Sequence, residues 1–263
     1  MDRRITAVRA ARAGAALAAE LFRTGLDVET KDSATDFVTE ADRRTQERIV
    51  EFLAEEYPDD PVVGEEGDGR KRLQADETAW IVDPIDGTTN YVRDIPLWAT
   101  SVAVVVDGDP VAAANCLPML GDEYHAGTDD VIRTTYQPDG PVDDGDSVTV
   151  SDASSLEASI VAPTLRYTGD GVYGSLLGAL SPHVGDVRRF GSAQTTLSLV
   201  AGGHLDAAVG VTEAHPWDTV AGVHLIERAG GTVTDLDGDP WTPRSEGLVA
   251  SNGRIHDALL AVL

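Results

Sequence analysis

The residues of this chain best placed to do chemistry lie in WIVDPIDGTTNY, residues 80–91. Trp80, Ile81 and Val82 predict a short buried strand that delivers Asp83 to its carboxyl end. Pro84 fixes φ and has no N–H to donate, so ladder pairing is expected to stop there. The chain then reverses. Asp83 and Asp86 turn into one space with the Ile85 carbonyl between them, an all-oxygen set of the kind hard cations take. Gly87 lets the backbone come close to a ligand, and Thr88-Thr89 open a turn whose N–H groups attract an anion. One loop would thus hold a cation and a phosphate side by side. The competing reading is an Asp-rich turn that only caps a helix.

Three other segments offer acids in similar settings. VVGEEG, residues 62–67, is a second short strand ending in carboxylates. Glu65 reaches the same cation if this strand lies beside the Trp80 strand; otherwise Glu65-Glu66 is a surface pair. HPWDTVAG, residues 215–222, starts a helix with Pro216 near its first position and Asp218 in the first turn. There Asp218 is either a ligand or a complement to the helix dipole. TDFVTEAD, residues 35–42, sets Asp36, Thr39 and Asp42 at a helix start, where Thr39 and Asp42 also match a capping box. Adjacent acids elsewhere, such as Glu55-Glu56 and Asp129-Asp130, need no function on so acidic a surface.

Helices and strands must carry these segments together. Residues 4–24 read as an amphipathic helix ended by Gly25, and residues 40–57 as a second. Strands are expected at 61–64, 80–82, 100–106 and 111–116, the last two joined by the turn Asp107-Gly108-Asp109. Residues 128–146, rich in Asp, Gly and Pro, mark a seam between an N-terminal half (1–135) with most of the acids and a C-terminal half (136–263) with Asp218. The second half alternates: strand 159–162, helix 172–180, helix 191–201, strand 205–209, helix 216–229, strands 231–234 and 248–251, and helix 254–263. Such alternation predicts an α/β layered architecture.

The composition excludes several classes. Forty-five acidic against 20 basic residues give a formal charge of −25. Self-repulsion of this size disfavours the compact state unless salt screens it, and the Debye length falls to ~3 Å at 1 M. A salt-rich cytoplasm of the halophilic kind is the expectation, and nucleic acid finds no basic face to dock on. The single cysteine, Cys116, excludes an internal disulfide and reads as a small buried hydrophobe. The N-terminal AGAALAAELF is too short and is broken by Glu20, so it reads as amphipathic helix rather than leader, and no apolar run is long enough for a membrane span. A soluble, cytoplasmic protein is expected.

In their order and spacing, Asp36–Asp42 (D-x-V-T-x-x-D), Gly64–Glu66 (GEE), Asp83–Asn90 (DPIDGTTN) and Trp217–Gly222 (WD-x-x-AG) resemble the inositol monophosphatase family along essentially the whole chain. The resemblance implies a layered αβαβα sandwich of the sugar phosphatase type and a Mg2+-dependent phosphomonoesterase holding two to three ions. One ion would take Glu65, Asp83 and the Ile85 carbonyl. A second would take Asp83, Asp86 and Asp218, and a weaker third would sit near Glu65. An attacking water activated by the first ion would be oriented by Thr88, itself held by Asp42, with the phosphate on the Gly87 and Thr88 amides and Thr89 beside it. Lys31 matches a family lysine near the metals. Gly191-Ser192-Ala193 resembles a stretch that lines the substrate, and Arg188 or Arg189 either binds an anionic substrate group or balances Asp186.

Inositol-specific members carry a Glu shortly before Trp-Asp. Here Gly210 or Val211 stands at that place, the region carries about one extra residue, and Glu213 is displaced. Inositol monophosphate and fructose 1,6-bisphosphate are therefore set side by side as substrates, the latter drawing on Arg166, Arg188 or Arg189. Alternatives are 3′-phosphoadenosine 5′-phosphate and histidinol phosphate. The family also suggests lithium inhibition, a homodimer and, in another class, a partner-binding protein that keeps the fold.

Overall fold

A computed structural model describes residues 2–25, 28–30, 37–142, 144–164 and 171–263, with 28–30, 37 and 38 described by backbone alone. Lys31, Asp36 and Arg166 lie outside the described residues. Five layers follow one another. The outer pair of helices, α1 (Arg3–Leu21) and α2 (Glu40–Glu56), is joined by the antiparallel strands β1 (Val28–Thr30) and β2 (Phe37–Thr39). Beneath them lies a seven-stranded sheet in chain order: β3 (Val62–Gly64), β4 (Ala79–Asp86), β5 (Ala99–Val106), β6 (Asp109–Leu117), β7 (Asp122–Ala126), β8 (Val131–Thr135) and β9 (Asp146–Val148). Only β3 and β4 run parallel; the other neighbours are antiparallel. The short helix α3 (Thr88–Tyr91) follows β4 directly.

The second sheet has the order β11 (Asp186–Val187), β10 (Ile160–Pro163), β12 (Ala207–Glu213), β14 (Glu246–Ser251), β13 (Thr232–Thr234), with β10 parallel to both its neighbours. Helices α5 (Ala193–Ala201) and α6 (Pro216–Arg228) fill the middle layer, and α4 (Val172–Leu180) and α7 (His256–Leu260) cover the far face. This is the expected αβαβα sandwich.

Strand periodicity builds the layers, because successive side chains point to opposite faces. In β4, Trp80 and Val82 meet α1 and α2, whereas Ala79 and Ile81 meet the middle helices. In β12, Ala208 faces those helices while Ala207 and Val209 face α4 and α7. Strands β4, β5 and β14 are buried on both faces, which is why they read as nearly continuous apolar runs. Small residues let the layers close up. At Gly222 of α6 a Cβ would lie 2.3 Å from Cβ of Leu197 on α5, so only glycine permits that approach. Arg12 of α1 reaches through to buried Glu123 of β7 with a two-pronged ion pair, Nε–Oε2 2.6 Å and Nη2–Oε1 2.9 Å. Cys116 is buried beside that pair, as expected.

Several sequence expectations shift. Helix α1 ends at Leu21 rather than at Gly25: Phe22 leaves the helix to pack on Tyr91 and Trp98, with ring centroids 5.1 and 5.7 Å away, and Arg23 takes the left-handed conformation at φ 64°. Strand β8 and the start of β9 lie in the segment 128–146 and extend the first sheet, and the chain crosses to the second sheet between β9 and β10. Strands β7 to β9 escaped the sequence reading because Asp, Glu, His and Arg interrupt their apolar pattern. The Arg12–Glu123 pair and the Asp122–Arg133 bridge between β7 and β8 accommodate those charges. The final helix is shorter than expected, five residues from His256.

Candidate active site

Two parallel strands bring the first carboxylates together. Gly64 of β3 pairs with Val82 of β4, and Glu65 N–H donates to the Val82 carbonyl at 3.3 Å, so Glu65 and Asp83 emerge at the same sheet edge. The condition on which Glu65's position depended is thus met. The expected stop at Pro84 is not. β4 continues to Asp86, with Asp83 opposite Ser101 and Asp86 opposite Ala99, and the register shifts between them. One extra residue bulges on β4, and Pro84 sits within that bulge, where no ladder donor is needed. The Pro84 carbonyl accepts from Thr100 Oγ1 at 2.9 Å.

The bulge aims Asp83 and Asp86 into a common space with Asp218 from the first turn of α6. Each offers a carboxylate oxygen, and those oxygens lie within 4.8 Å of one another. Asp83 is 2% exposed, and its Oδ1 finds no hydrogen-bond partner among the described residues. Burial first, and then the charges of Glu65, Asp86, Asp218 and Asp42, push the Asp83 carboxyl well above its ordinary range. Asp86 is pushed up to about 6 by burial, although bonds from Ser192, Gln194 and Ala193 pull the other way. Half-buried Glu65 stands outside the close triad, but its charge raises Asp83, Asp86 and Asp42 alike. An orphaned carboxylate oxygen amid mutually repelling acids fits a hard divalent cation, whose charge would offset the cost of burying them.

Capping and site geometry prove compatible, because a carboxylate has two oxygens. Asp42 Oδ2 accepts from Thr39 N–H (2.8 Å) and Oγ1 (2.6 Å), completing the capping box of α2. Its Oδ1 accepts from Thr88 Oγ1 at 3.2 Å, and the same hydroxyl lies 3.1 Å from the Ile85 carbonyl. Asp42 is fully buried, and burial pushes it up to about 7. Asp218 likewise caps its helix, with Oδ2 accepting His215 N–H at 3.2 Å.

Gly87 begins α3 with φ 97°, and a Cβ there would lie 3.1 Å from the Leu97 carbonyl oxygen and from Ser192 Cβ. Gly87→Ala should therefore cost roughly 1–3 kcal/mol from the strained backbone alone, read as a lower melting temperature, and should impair turnover as well. Wild-type stability in that variant would contradict the assigned backbone. Thr89, next along, is exposed.

The second half reaches in through α5. Ser192 Oγ donates to Asp86, as do the amides of Ala193 (3.1 Å) and Gln194 (2.6 Å), so Asp86 binds the helix start while facing the triad. Gln194 escaped the sequence reading. Its Nε2 donates to the Trp217 carbonyl at 2.7 Å and its Oε1 accepts from Asn115 at 2.9 Å, tying β6, α5 and α6 at the site's floor. A lone Gln in the first turn of a helix otherwise made of apolar and hydroxyl residues was the available signal. Arg188 forms an ion pair with Asp186 at the surface, and Arg189 lies over the Tyr173 ring at 5.8 Å. Between Ala208 and His215, β12 carries a bulge: Gly210 faces Leu248, but Glu213 faces Glu246. Glu213 is exposed.

The profile of the inositol monophosphatase family matches residues 2–263. A fructose-1,6-bisphosphatase/inositol-1-monophosphatase of Thermotoga maritima is 31% identical over 237 residues, spanning 90% of this chain and 86% of that protein. Nus factor SuhB of Escherichia coli K12 is 31% identical over 259 residues, spanning 97% and 93%. Among solved structures, an IMPase of Thermotoga maritima superposes with a TM-score of 0.87 at 29% identity, covering 100% of this chain and 96% of that one.

Proposed function

We propose a substrate and a division of labour from one premise: the chain belongs to the inositol monophosphatase family and is a phosphoric monoester hydrolase. The substrate is a small sugar or polyol phosphate, either inositol monophosphate or fructose 1,6-bisphosphate. The observation that carries this reading is the meeting of Asp83, Asp86 and Asp218 beside the Gly87–Thr88 turn. Glu65, Asp83 and the Ile85 carbonyl would hold one Mg2+, and Asp83, Asp86 and Asp218 a second, with Glu65 offering a weaker third position. When bound, the ions supply Lewis acidity toward the phosphoryl oxygens and acidify the attacking water. Thr88 Oγ1 orients that water, and Asp42 keeps the hydroxyl in place. The amides of Gly87 and Thr88, with Thr89 at the rim, receive the phosphate. Ser192 and Ala193 hold Asp86 in line and border the substrate. Lys31 is assigned to the metal side on family resemblance; Arg189, or Arg188 despite its pairing with Asp186, is assigned to an anionic substrate group by its charge and its place before Ser192.

Gly210 or Val211 at the position where the family resemblance places the inositol-binding Glu, with Glu213 displaced from it, supports giving fructose 1,6-bisphosphate equal standing. The Thermotoga relative carries both activities in its name. We read the two halves as one functional unit, because Asp86 of the first is held by Ser192, Ala193 and Gln194 of the second. We also read the chain as a cytoplasmic homodimer of a salt-rich cell. Among the described residues no helix is long and apolar enough to cross a membrane, and the charge of −25 requires screening. A partner-binding role is the second reading, favoured by the name of the Escherichia coli relative.

One experiment tests the function. Protein in molar KCl with Mg2+ is assayed for phosphate release from inositol 1-phosphate, fructose 1,6-bisphosphate and 3′-phosphoadenosine 5′-phosphate. Hydrolysis of one of the first two, abolished by EDTA, is expected. No release from any of the three would remove the reading, and preference for the nucleotide would replace the substrate. Activity and melting temperature should both rise from dilute buffer to molar KCl; best performance in dilute buffer contradicts the halophilic assignment.

A further inference from the structure

Lys71 is one of only two lysines in a chain whose positive charge is otherwise arginine. Its Nζ donates to the Gly64 carbonyl at 3.0 Å and the Glu65 carbonyl at 2.7 Å, and lies 5.8 Å from the centroid of the Trp217 ring. Glu65 leaves the end of β3, and Trp217 immediately precedes Asp218 in the first turn of α6. A single half-buried ammonium therefore touches both the backbone that carries Glu65 and the ring beside Asp218. The strand end is also held through the backbone, with Gly64 N–H donating to the Arg70 carbonyl at 3.1 Å and Glu65 N–H to the Val82 carbonyl at 3.3 Å, while Gly67, Asp68 and Gly69 between them and Lys71 are exposed. Glu66 is fixed separately, by Gln46 on α2, whose amide donates to the Glu66 carbonyl (2.6 Å) and accepts its N–H (2.7 Å).

We infer that Lys71 is a positioning residue for the divalent-cation site, holding the Glu65 segment of the first sheet in register with the Asp218 segment of the middle layer. This rests on the reading of Glu65, Asp83, Asp86 and Asp218 as cation ligands. Lysine suits the place, because a compact ammonium on a flexible stem can serve two carbonyls and an aromatic face at once, whereas a planar guanidinium presents a rigid fork. The inference carries a definite sign. A positive charge near the site opposes cation binding by simple repulsion, so if Lys71 acted only through its charge, removing it would tighten Mg2+. If Lys71 acts by position, removing it weakens Mg2+.

The test uses thermal melts of the full chain in molar KCl across a Mg2+ titration, for wild type, Lys71→Met, Lys71→Gln and Lys71→Arg. Wild type should melt higher as Mg2+ is added. Lys71→Met should raise the half-saturating Mg2+ about 10-fold, the lower end of the effect of losing an outer-shell partner of a metal ligand. Lys71→Gln, which keeps two donors, serves if Lys71→Met does not fold, and Lys71→Arg should restore part of the affinity. A purely structural role would lower the melting temperature in EDTA without moving the Mg2+ midpoint, and that result overturns the inference, as does a tighter midpoint. A wild-type protein whose melting ignores Mg2+ would instead defeat the metal reading beneath it, and shows this before any variant is made.

Discussion

Replacing Asp83 with Asn should lower kcat/KM by roughly a thousandfold or more, while the Mg2+-free protein melts at or above the wild-type temperature. Asp83 is the carboxylate shared between both proposed ion positions, and metal ions stabilise transition-state charge by several kcal/mol, which at about 1.4 kcal/mol per decade is about three decades of rate. The stability half of the prediction has a separate cause. Burial and four neighbouring carboxylates already disfavour the Asp83 anion, so a neutral amide of the same shape removes repulsion. Its missing partner at Oδ1 is no worse served in the amide. Assay of turnover beside melts with and without Mg2+ checks both halves. Near-normal turnover in a folded Asp83→Asn protein would remove the catalytic assignment and favour the partner-binding reading. An unfolded variant would contradict the electrostatic account.

Withholding Mg2+ should invert the ordinary dependence of stability on pH. Asp42 lies near 7, Asp86 near 6 and Asp83 well above its ordinary value, all by burial. In this window the folded, Mg2+-free protein binds protons that the unfolded chain does not. Its stability is therefore greatest at low pH and is lost as pH rises through those values. At about 1.4 kcal/mol for each tenfold gain in proton affinity on folding, the loss by about pH 8 is on the order of several kcal/mol. His224 acts in the opposite sense. Burial pushes it down from 6.5 to about 4, so its contribution is complete above 6.5 and disappears only toward acid. The range from 6.5 to about pH 8 thus isolates the carboxylates. Mg2+ confined to the folded site would add about 2.7 kcal/mol at a hundred times its Kd, and the acids would take it best when ionised. Melting temperature should fall with pH in EDTA and hold or rise with pH in Mg2+. Melts in EDTA that rise with pH over that range would sink the account.

Much of the site was legible before any fold was known, and the reason is local. Asp83, Ile85, Asp86 and Gly87 sit within a few residues of each other, so their sharing of one space could be read from residue types alone, although what joins Asp83 to Asp86 is a bulge within β4 and not the expected reversal. The same holds for Thr39 with Asp42 and for Pro216 with Asp218, where helix starts announce themselves through capping chemistry. The bulge in β12 between Gly210 and Glu213, opposite β14, was not legible. What stayed hidden involves partners far apart in the chain: Gln194 joining Asn115 to Trp217, Arg12 holding Glu123, and Lys71 beside Trp217. No periodicity encodes which distant group will satisfy a buried polar atom.

By itself, then, the amino-acid order determined the chemistry available, which is hard oxygen ligands beside a glycine turn, and an α/β layered architecture; the five-layer sandwich was implied only by the family resemblance. Only the tertiary structure decided that Glu65 would stand beside Asp83, because that follows from the parallel pairing of β3 with β4. It decided equally that Pro84 would ride in a bulge and that Asp42 and Asp218 would cap helices while still facing the site. Side-chain spacing sets which residues share a face over a few positions. Which faces meet depends on how whole layers bury their apolar surface, a property of the entire chain.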